Sequence, residues 1–279
     1  MNAILLVGGF STRLYPCTHN LSKHLLPVYD KPMFYYPLSR LIELGVDRLA
    51  VIVSPSQRSL FESAFLKLGL SIPTTFIDQP IPHGIAQALV LAKDWLAGNP
   101  TYLALGDNIF LGDHVFGNAE QRDPDRARIW VADVSNPESY GVLHPDGYVV
   151  EKPKEFVGRS AVTGMYWFPG DAAEVASRLL PSSRGEYEIT DVINVYIHEK
   201  RCDVSNVCGD WLDAGTPDGL LESSEAIRAL QLRSGKLIGS PEIAAYDIGT
   251  KIQTATLVKY NRNSTSNYYL GVRRHLTEN

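Results

Sequence analysis

Apolar positions in this chain follow two rhythms. In the first half, short unbroken apolar runs alternate with longer stretches of helical spacing. Asn2–Val7, Arg48–Val53, Thr74–Ile77 and Thr101–Leu105 are mostly apolar, with no regular polar alternation. Such runs predict strands buried on both faces, in the middle of a parallel sheet. Between them, Met33–Leu44 carries apolar residues at helical spacing and stops at Gly45, Ser54-Pro55-Ser56 begins a helix to about Leu68, and a third helix is predicted from Gly84 to Ala97. Strand, helix, strand in this order predicts an α/β fold: a Rossmann-like, three-layer α/β/α arrangement around a mostly parallel sheet. The C-terminal ends of the strands then share one rim, which is where ligands sit in such sheets.

Beyond Gly106 the runs shorten. Arg128–Asp133, Gly141–Leu143, Tyr148–Glu151 and Ala161–Phe168 predict strands, with a turn at Pro145-Asp146-Gly147. Asp171–Leu180 and Glu188–His198 predict helices, and Thr216–Leu232 a long one, entered by a capping Thr and a Pro at the first helical position. Ala244–Tyr260 predicts one or two short helices and Asn261–Asn267 a polar loop. The resulting division is a catalytic domain over 1–235, with halves at about 1–110 and 111–235, and a C-terminal helical extension for assembly over 236–279.

Composition changes this picture little. Of the 279 residues, 44% are hydrophobic and 20% charged, which supplies an ordinary globular core. A net charge of −5 argues against a nucleic-acid groove, so an anionic substrate must be met by local cations. Cys17, Cys202 and Cys208 are an odd number and show no metal-ligand spacing with His, which predicts free thiols in a reducing cytoplasm. The N-terminal apolar run is too short for a secretory leader, and no stretch reaches membrane-spanning length.

The chemistry concentrates after the first strand. Gly8-Gly9 follows it directly, then Ser11, Thr12 and Arg13, and ten residues later Lys23. Glycine N–H groups with two cations at a strand end suit a polyphosphate. Neither G-x-G-x-x-G nor G-x-x-x-x-G-K-[ST] follows that strand, which argues against a nicotinamide dehydrogenase and a P-loop ATPase. Asp107 at the end of the fourth strand and Asp213 at the end of a later apolar run are a candidate pair for one Mg²⁺. Gln79 offers acceptor and donors together, as a pyrimidine edge requires.

The stretch LVGGFSTRLYP (Leu6–Pro16) followed by SKHLLPVYDKP (Ser22–Pro32) resembles the signature of the sugar-1-phosphate nucleotidylyltransferases, and among them the glucose-1-phosphate thymidylyltransferases. The resemblance runs over nearly the whole chain and is strong to about Glu222. It implies the nucleotide-diphospho-sugar transferase fold and transfer of a nucleotidyl group from dTTP to glucose 1-phosphate, with Mg²⁺ as cofactor. It implies a nucleotide site of Leu6, Gly8, Gly9, Ser11, Thr12, Arg13, Gln79, Gly84 and Asp107. It implies a sugar-phosphate site of Gly141, Glu151, Lys152, Val162 and Tyr166, and a metal site of Asp107 and Asp213. Arg13, Lys23, Lys152 and Asp107 would carry the catalysis, and Arg184–Asp191 would support the sugar pocket from beneath. Relatives of this length are commonly homotetramers, so the resemblance implies a tetramer.

The sequence departs from the family pattern at several places. Ser11 stands where Gly is usual, His24 for Gln, Val7 for Ala, Ala214 for Thr, and His83 for an acid. Around Leu111–Phe116 and before Trp211 it lacks residues that help relatives form a second, regulatory nucleotide site, so feedback inhibition is not expected. UTP, CTP or another sugar 1-phosphate fits the same pattern. Two other readings remain open: a non-catalytic sugar-nucleotide sensor, and a glycosyltransferase of similar topology, although Asp107-Asn108-Ile109 is not the Asp-x-Asp of the latter.

Overall fold

The computed structural model describes residues 1–9, 11–117, 119, 122–249 and 264–278. Its strands are β1 (Asn2–Leu6), β2 (Pro27–Val28), β3 (Lys31–Pro32), β4 (Arg48–Val53), β5 (Thr74–Asp78), β6 (Thr101–Leu105), β7 (Asn108–Leu111), β8 (Ala127–Asp133), β9 (Gly141–Leu143), β10 (Val149–Glu151), β11 (Ser160–Phe168), β12 (Cys202–Asn206) and β13 (Asp210–Asp213). The helices are α1 (Tyr35–Glu43), α2 (Arg58–Leu68), α3 (Gln87–Leu91), α4 (Lys93–Leu96), α5 (Ala172–Ser177), α6 (Ile189–His198), α7 (Pro217–Ser234), α8 (Pro241–Asp247) and α9 (Asn267–Glu278).

A nine-stranded sheet runs β10-β9-β11-β6-β1-β4-β5, with β8 pairing β11 and β12. Strands β6, β1, β4 and β5 are parallel, and β11 joins β6 antiparallel, so the sheet is continuous across the expected halves. The run Ala3-Ile4-Leu5 shows why the sheet has three layers. Ala3, Leu5 and Val7 pack into one apolar layer under α1 and α2, while Ile4 points into the other, under α3, α5 and α6. Alternate residues serve opposite faces, so a strand covered on both sides is apolar throughout.

Register sets the rim. Leu6 lies beside Leu105 and Ile52, and Val53 beside Asp78. The chain leaving β1, β5 and β6 therefore emerges at one level, carrying Gly8, Gln79 and Asp107 together. A second, two-stranded sheet pairs β7 with β13 antiparallel, Asn108 opposite Asp213. It rests on α7, where Ile227 and Ala214 are fully buried with Val28, Met33 and Ile109.

Some elements differ from expectation. The helix predicted over Gly84–Ala97 starts only at Gln87, since Gly84 has a non-helical φ of 98°, and it is interrupted at Ala92, where ψ opens to 3°. Strands β7 and β12 were not foreseen, since neither is a sustained apolar run. Of the predicted helices over Ala244–Tyr260, α8 lies in the described part and ends at Asp247, while 250–263 fall outside the described residues. Helix α9 begins where the polar loop was expected to end. Helices α8 and α9 are held by a buried polar cluster: the Tyr268 hydroxyl donates to Glu242 and meets Ser240 Oγ at 3.1 Å. No described helix is long and apolar enough to cross a membrane.

Candidate active site

The loop after β1 is shaped by what surrounds it. A Cβ on Gly8 would lie 2.1 Å from the Gln79 carboxamide oxygen, so only glycine lets that side chain lie against the loop. Gly9 has a φ of 106°, and Ser11 is left-handed at φ 53°, ψ 33°. Phe10 falls outside the described residues. The Ser11 carbonyl accepts from Thr18 Oγ1 at 2.8 Å and Leu14 N at 3.1 Å, and its hydroxyl accepts from Lys23 N at 3.4 Å. These bonds hold a backbone conformation that costs a residue with a Cβ roughly 1–2 kcal/mol.

Two cavities open on the rim. The first, of about 400 Å³, is lined by Leu6, Gly8, Gly9, Ser11, Thr12 and Arg13, and by Lys23, Gln79, Gly84 and Asp107. The second, of about 500 Å³, is lined by Gly141, Glu151, Lys152, Val162 and Tyr166, with Asp107 and Asp213. Every residue expected at a nucleotide or sugar-phosphate site thus falls in the corresponding chamber. The chambers share Arg13, Ile85, Leu105, Asp107 and Glu186, so they meet at Arg13 and Asp107.

Asp107 and Asp213 come together although 106 positions separate them, because β7 and β13 pair and Ala214 N donates to the Asp107 carbonyl at 3.0 Å. A methyl placed on Gly215 would lie 2.9 Å from Asp213 Oδ1, 3.0 Å from Asp107 Oδ2 and 2.9 Å from Arg13 Nη2. Two carboxylate oxygens therefore face one small gap. Burial raises the Asp213 carboxyl above its ordinary range, and the Asp107 charge raises it further. Burial, the largest single cause, also pushes Asp107 upward, but the Lys23 charge and its salt bridge, together with the Asn108 hydrogen bond, carry the net shift down. Two converging carboxylates fit Mg²⁺, which takes one or two protein carboxylates and completes its shell with water and phosphate. Among the described residues no group of three or more His, Cys, Asp or Glu gathers as a larger cage.

His24 is buried, with Nδ1 3.0 Å from Ser22 Oγ. Burial first, and Lys23 second, hold its pKa at about 3, so it is neutral. In the second chamber Arg184 donates to Glu188 at 2.8 Å and to Glu151 at 3.1 Å, and it lies 3.2 Å from Glu186. Burial, then Glu188, raises the Glu151 carboxyl. Lys152 has a φ of 43°, and its N–H donates to the Tyr140 carbonyl at 2.9 Å.

Two expectations change. Gly84 does not open a helix. Its missing Cβ admits the Tyr187 carbonyl, which would otherwise sit 2.4 Å away, and Tyr187 N donates to the His83 carbonyl at 2.7 Å. That crossing joins the loops of the two chambers. The Arg184–Asp191 segment is not only a support, since Arg184, Glu186, Glu188 and Thr190 line the second chamber directly. Tyr140, Trp211 and Asn108 also line it and were not foreseen. The signal for two of them was adjacency: Asn108 follows Asp107, and Trp211 precedes Asp213 by two positions on a strand.

The nucleotidyl transferase family profile matches residues 2–229 of this chain. The chain belongs to the nucleotidyl transferase family. It is 38% identical to a glucose-1-phosphate thymidylyltransferase of Mycolicibacterium smegmatis, covering 97% of this chain and 98% of that protein. Another, from Xanthomonas campestris, is 38% identical over 88% of this chain and 87% of the relative. A structure from Bacillus anthracis, assigned as a glucose-1-phosphate thymidylyltransferase and holding a sucrose, superposes with a TM-score of 0.73 at 32% identity, covering 82% of this chain and 96% of its own. A UDP-glucose pyrophosphorylase complexed with UDP-glucose gives the same TM-score at 21% identity, which bears on the fold alone. The Rossmann-like α/β fold expected from the alternating pattern is thus the fold of the family.

Proposed function

We infer that this chain transfers a thymidylyl group from dTTP to glucose 1-phosphate, forming dTDP-glucose and releasing pyrophosphate. The observation that carries this reading is the meeting of two chambers at Arg13 and Asp107. One chamber is rimmed by glycine N–H groups and cations, the other by Glu151 and Lys152. Two substrates bound there would bring a phosphate oxygen of the sugar phosphate against the α-phosphorus of the triphosphate. Such a displacement needs alignment and charge neutralisation more than a side-chain nucleophile.

In this reading the N–H groups of the Gly8–Thr12 loop and the Arg13 guanidinium hold the triphosphate. Lys23 lies at the same rim, paired with Asp107, and can turn to phosphate as charge moves to the leaving group. Gln79, tied to Gln87 at 2.8 Å, presents a fixed amide to the base. Lys152 orients the attacking phosphate, with Glu151 and the Gly141 N–H on sugar hydroxyls. Asp107 and Asp213 would hold Mg²⁺, which when bound neutralises charge on phosphate oxygens. A cytoplasmic, tetrameric enzyme is part of the same proposal, resting on the family pattern.

Pyrophosphate release across a panel of nucleoside triphosphates and sugar 1-phosphates tests it. The dTTP and glucose 1-phosphate pair should give the highest kcat/KM, and Asp107→Asn should abolish turnover while leaving the melting temperature within a few degrees. Stabilisation by nucleotide sugars without release from any pair would make the chain a sensor and end the enzymatic reading.

A further inference from the structure

We propose that Gln87 is a positioning residue for base choice: it fixes the sense of the Gln79 carboxamide, so that the nucleotide chamber takes the imide edge of thymine or uracil and rejects cytosine. This rests on the reading of that chamber as a nucleotide site.

Gln79 is buried and lines the chamber, and its backbone N–H is held by the Val53 carbonyl at 2.8 Å. Gln87, the first residue of α3, lines neither chamber. Its Oε1 accepts from two donors, the His83 N–H at 2.9 Å and Gln79 Nε2 at 2.8 Å. A backbone N–H can only donate, so the Gln87 atom that meets it must be the oxygen. That oxygen in turn demands the amino end of Gln79. His83 is itself restrained, because Tyr187 N donates to its carbonyl at 2.7 Å. The sense of the Gln79 amide is thus set by a chain of bonds that begins at a main-chain hydrogen.

The oxygen end of Gln79 is what remains for a ligand. Oε1 lies against the loop after β1, where a Cβ on Gly8 would meet it at 2.1 Å. Among the described residues nothing donates to it. A buried acceptor without a donor calls for one from the ligand. Thymine and uracil offer N3–H with a carbonyl on each side, and the second hydrogen of Nε2 suits one of those carbonyls. Cytosine offers a bare lone pair at N3. Acceptor would then face acceptor, and a buried polar group would be left unpaired.

Calorimetric titration of the full chain with dTTP, dUTP and dCTP, each with Mg²⁺ and without sugar phosphate, is the test. The parent should bind dTTP and dUTP about 10–100-fold more tightly than dCTP. Gln87→Met keeps the side-chain length and removes the acceptor. It should shrink the dTTP-to-dCTP ratio about 10-fold and leave the dTTP-to-dUTP ratio within about 2-fold. Gln87→Glu still accepts from both donors and should keep the parental ratios. A variant Gln87→Met that weakens all three nucleotides alike, with the dTTP-to-dCTP ratio unchanged, would overturn the proposal and make Gln87 a mere brace of the loop. A parent that binds all three equally would also overturn it, since Gln79 would then read no N3–H, while triphosphate binding and the proposed reaction would stand. Failure of all three to bind would end the nucleotide reading itself, and this proposal with it.

Discussion

Gly215→Ala probes the reading of the carboxylate pair most directly. Gly215 has no left-handed backbone requirement, so alanine is conformationally allowed there, and the perturbation is the methyl group itself. That methyl would sit 2.9 Å from Asp213 Oδ1 and Arg13 Nη2 and 3.0 Å from Asp107 Oδ2. Ordinary carbon–oxygen contact needs about 3.4 Å or more, so each neighbour must retreat by several tenths of an ångström. The carboxylates would move apart, and the gap they face would be filled. Misplacement on this scale at a reacting centre costs about 100-fold, equivalent to about 2.7 kcal/mol of transition-state stabilisation. The side chains that must move are at the rim of a cavity, so the expected stability change is within about 1 kcal/mol. Steady-state pyrophosphate release should therefore show kcat down about 100-fold and a raised Mg²⁺ requirement, with an almost unchanged urea midpoint. A variant with parental kcat and parental Mg²⁺ dependence would refute the assignment of this gap to the chemistry.

Three further outcomes are expected. Ser11→Gly relieves a left-handed serine worth roughly 1–2 kcal/mol, against roughly 0.5–1 kcal/mol of added chain entropy and a 3.4 Å bond to Lys23 N, so urea unfolding should show a gain of up to about 1 kcal/mol; a clear loss would mean that this hydroxyl bond outweighs the strain. Gly84→Ala places a Cβ 2.4 Å from the Tyr187 carbonyl at a φ of 98°, and should destabilise by about 2–5 kcal/mol in the same assay; near-parental stability would show that the loop crossing is not rigid. His24 has its pKa lowered from 6.5 to about 3 in the folded state, so the unfolded chain binds the extra proton and stability falls with pH from 6.5 down to about 3. His24→Gln should remove that dependence, retaining about 3 kcal/mol relative to the parent at a pH about two units below 6.5, and an unshifted acid-unfolding midpoint would contradict a neutral buried imidazole.

The parts of the fold legible in the sequence are those whose signal is local. Strands β1, β4 and β6 are buried on both faces, so their residues are apolar without reference to any partner. The glycine pair after β1, with Arg13 and Lys23 nearby, announces a phosphate site for the same reason: backbone access and fixed charge are properties of a short segment. Strands β7 and β12 were illegible because each is short and carries polar residues such as Asn108 and Asp203, and β7 exists through pairing with a segment about a hundred positions away.

The amino-acid order by itself determined an alternating α/β chain, a polyphosphate loop and two candidate metal carboxylates, each readable from residue type and spacing. Only the tertiary structure decided that Asp107 and Asp213 share one gap, that Ser11 is left-handed, that Gly84 serves a loop crossing, and that Arg184 and Tyr140 enter the second chamber. Those features depend on pairings between distant strands and on hydrogen bonds such as Thr18 to the Ser11 carbonyl. Contacts of that range leave no periodicity in the chain, because the residues that make them are chosen for a neighbour that folding alone supplies.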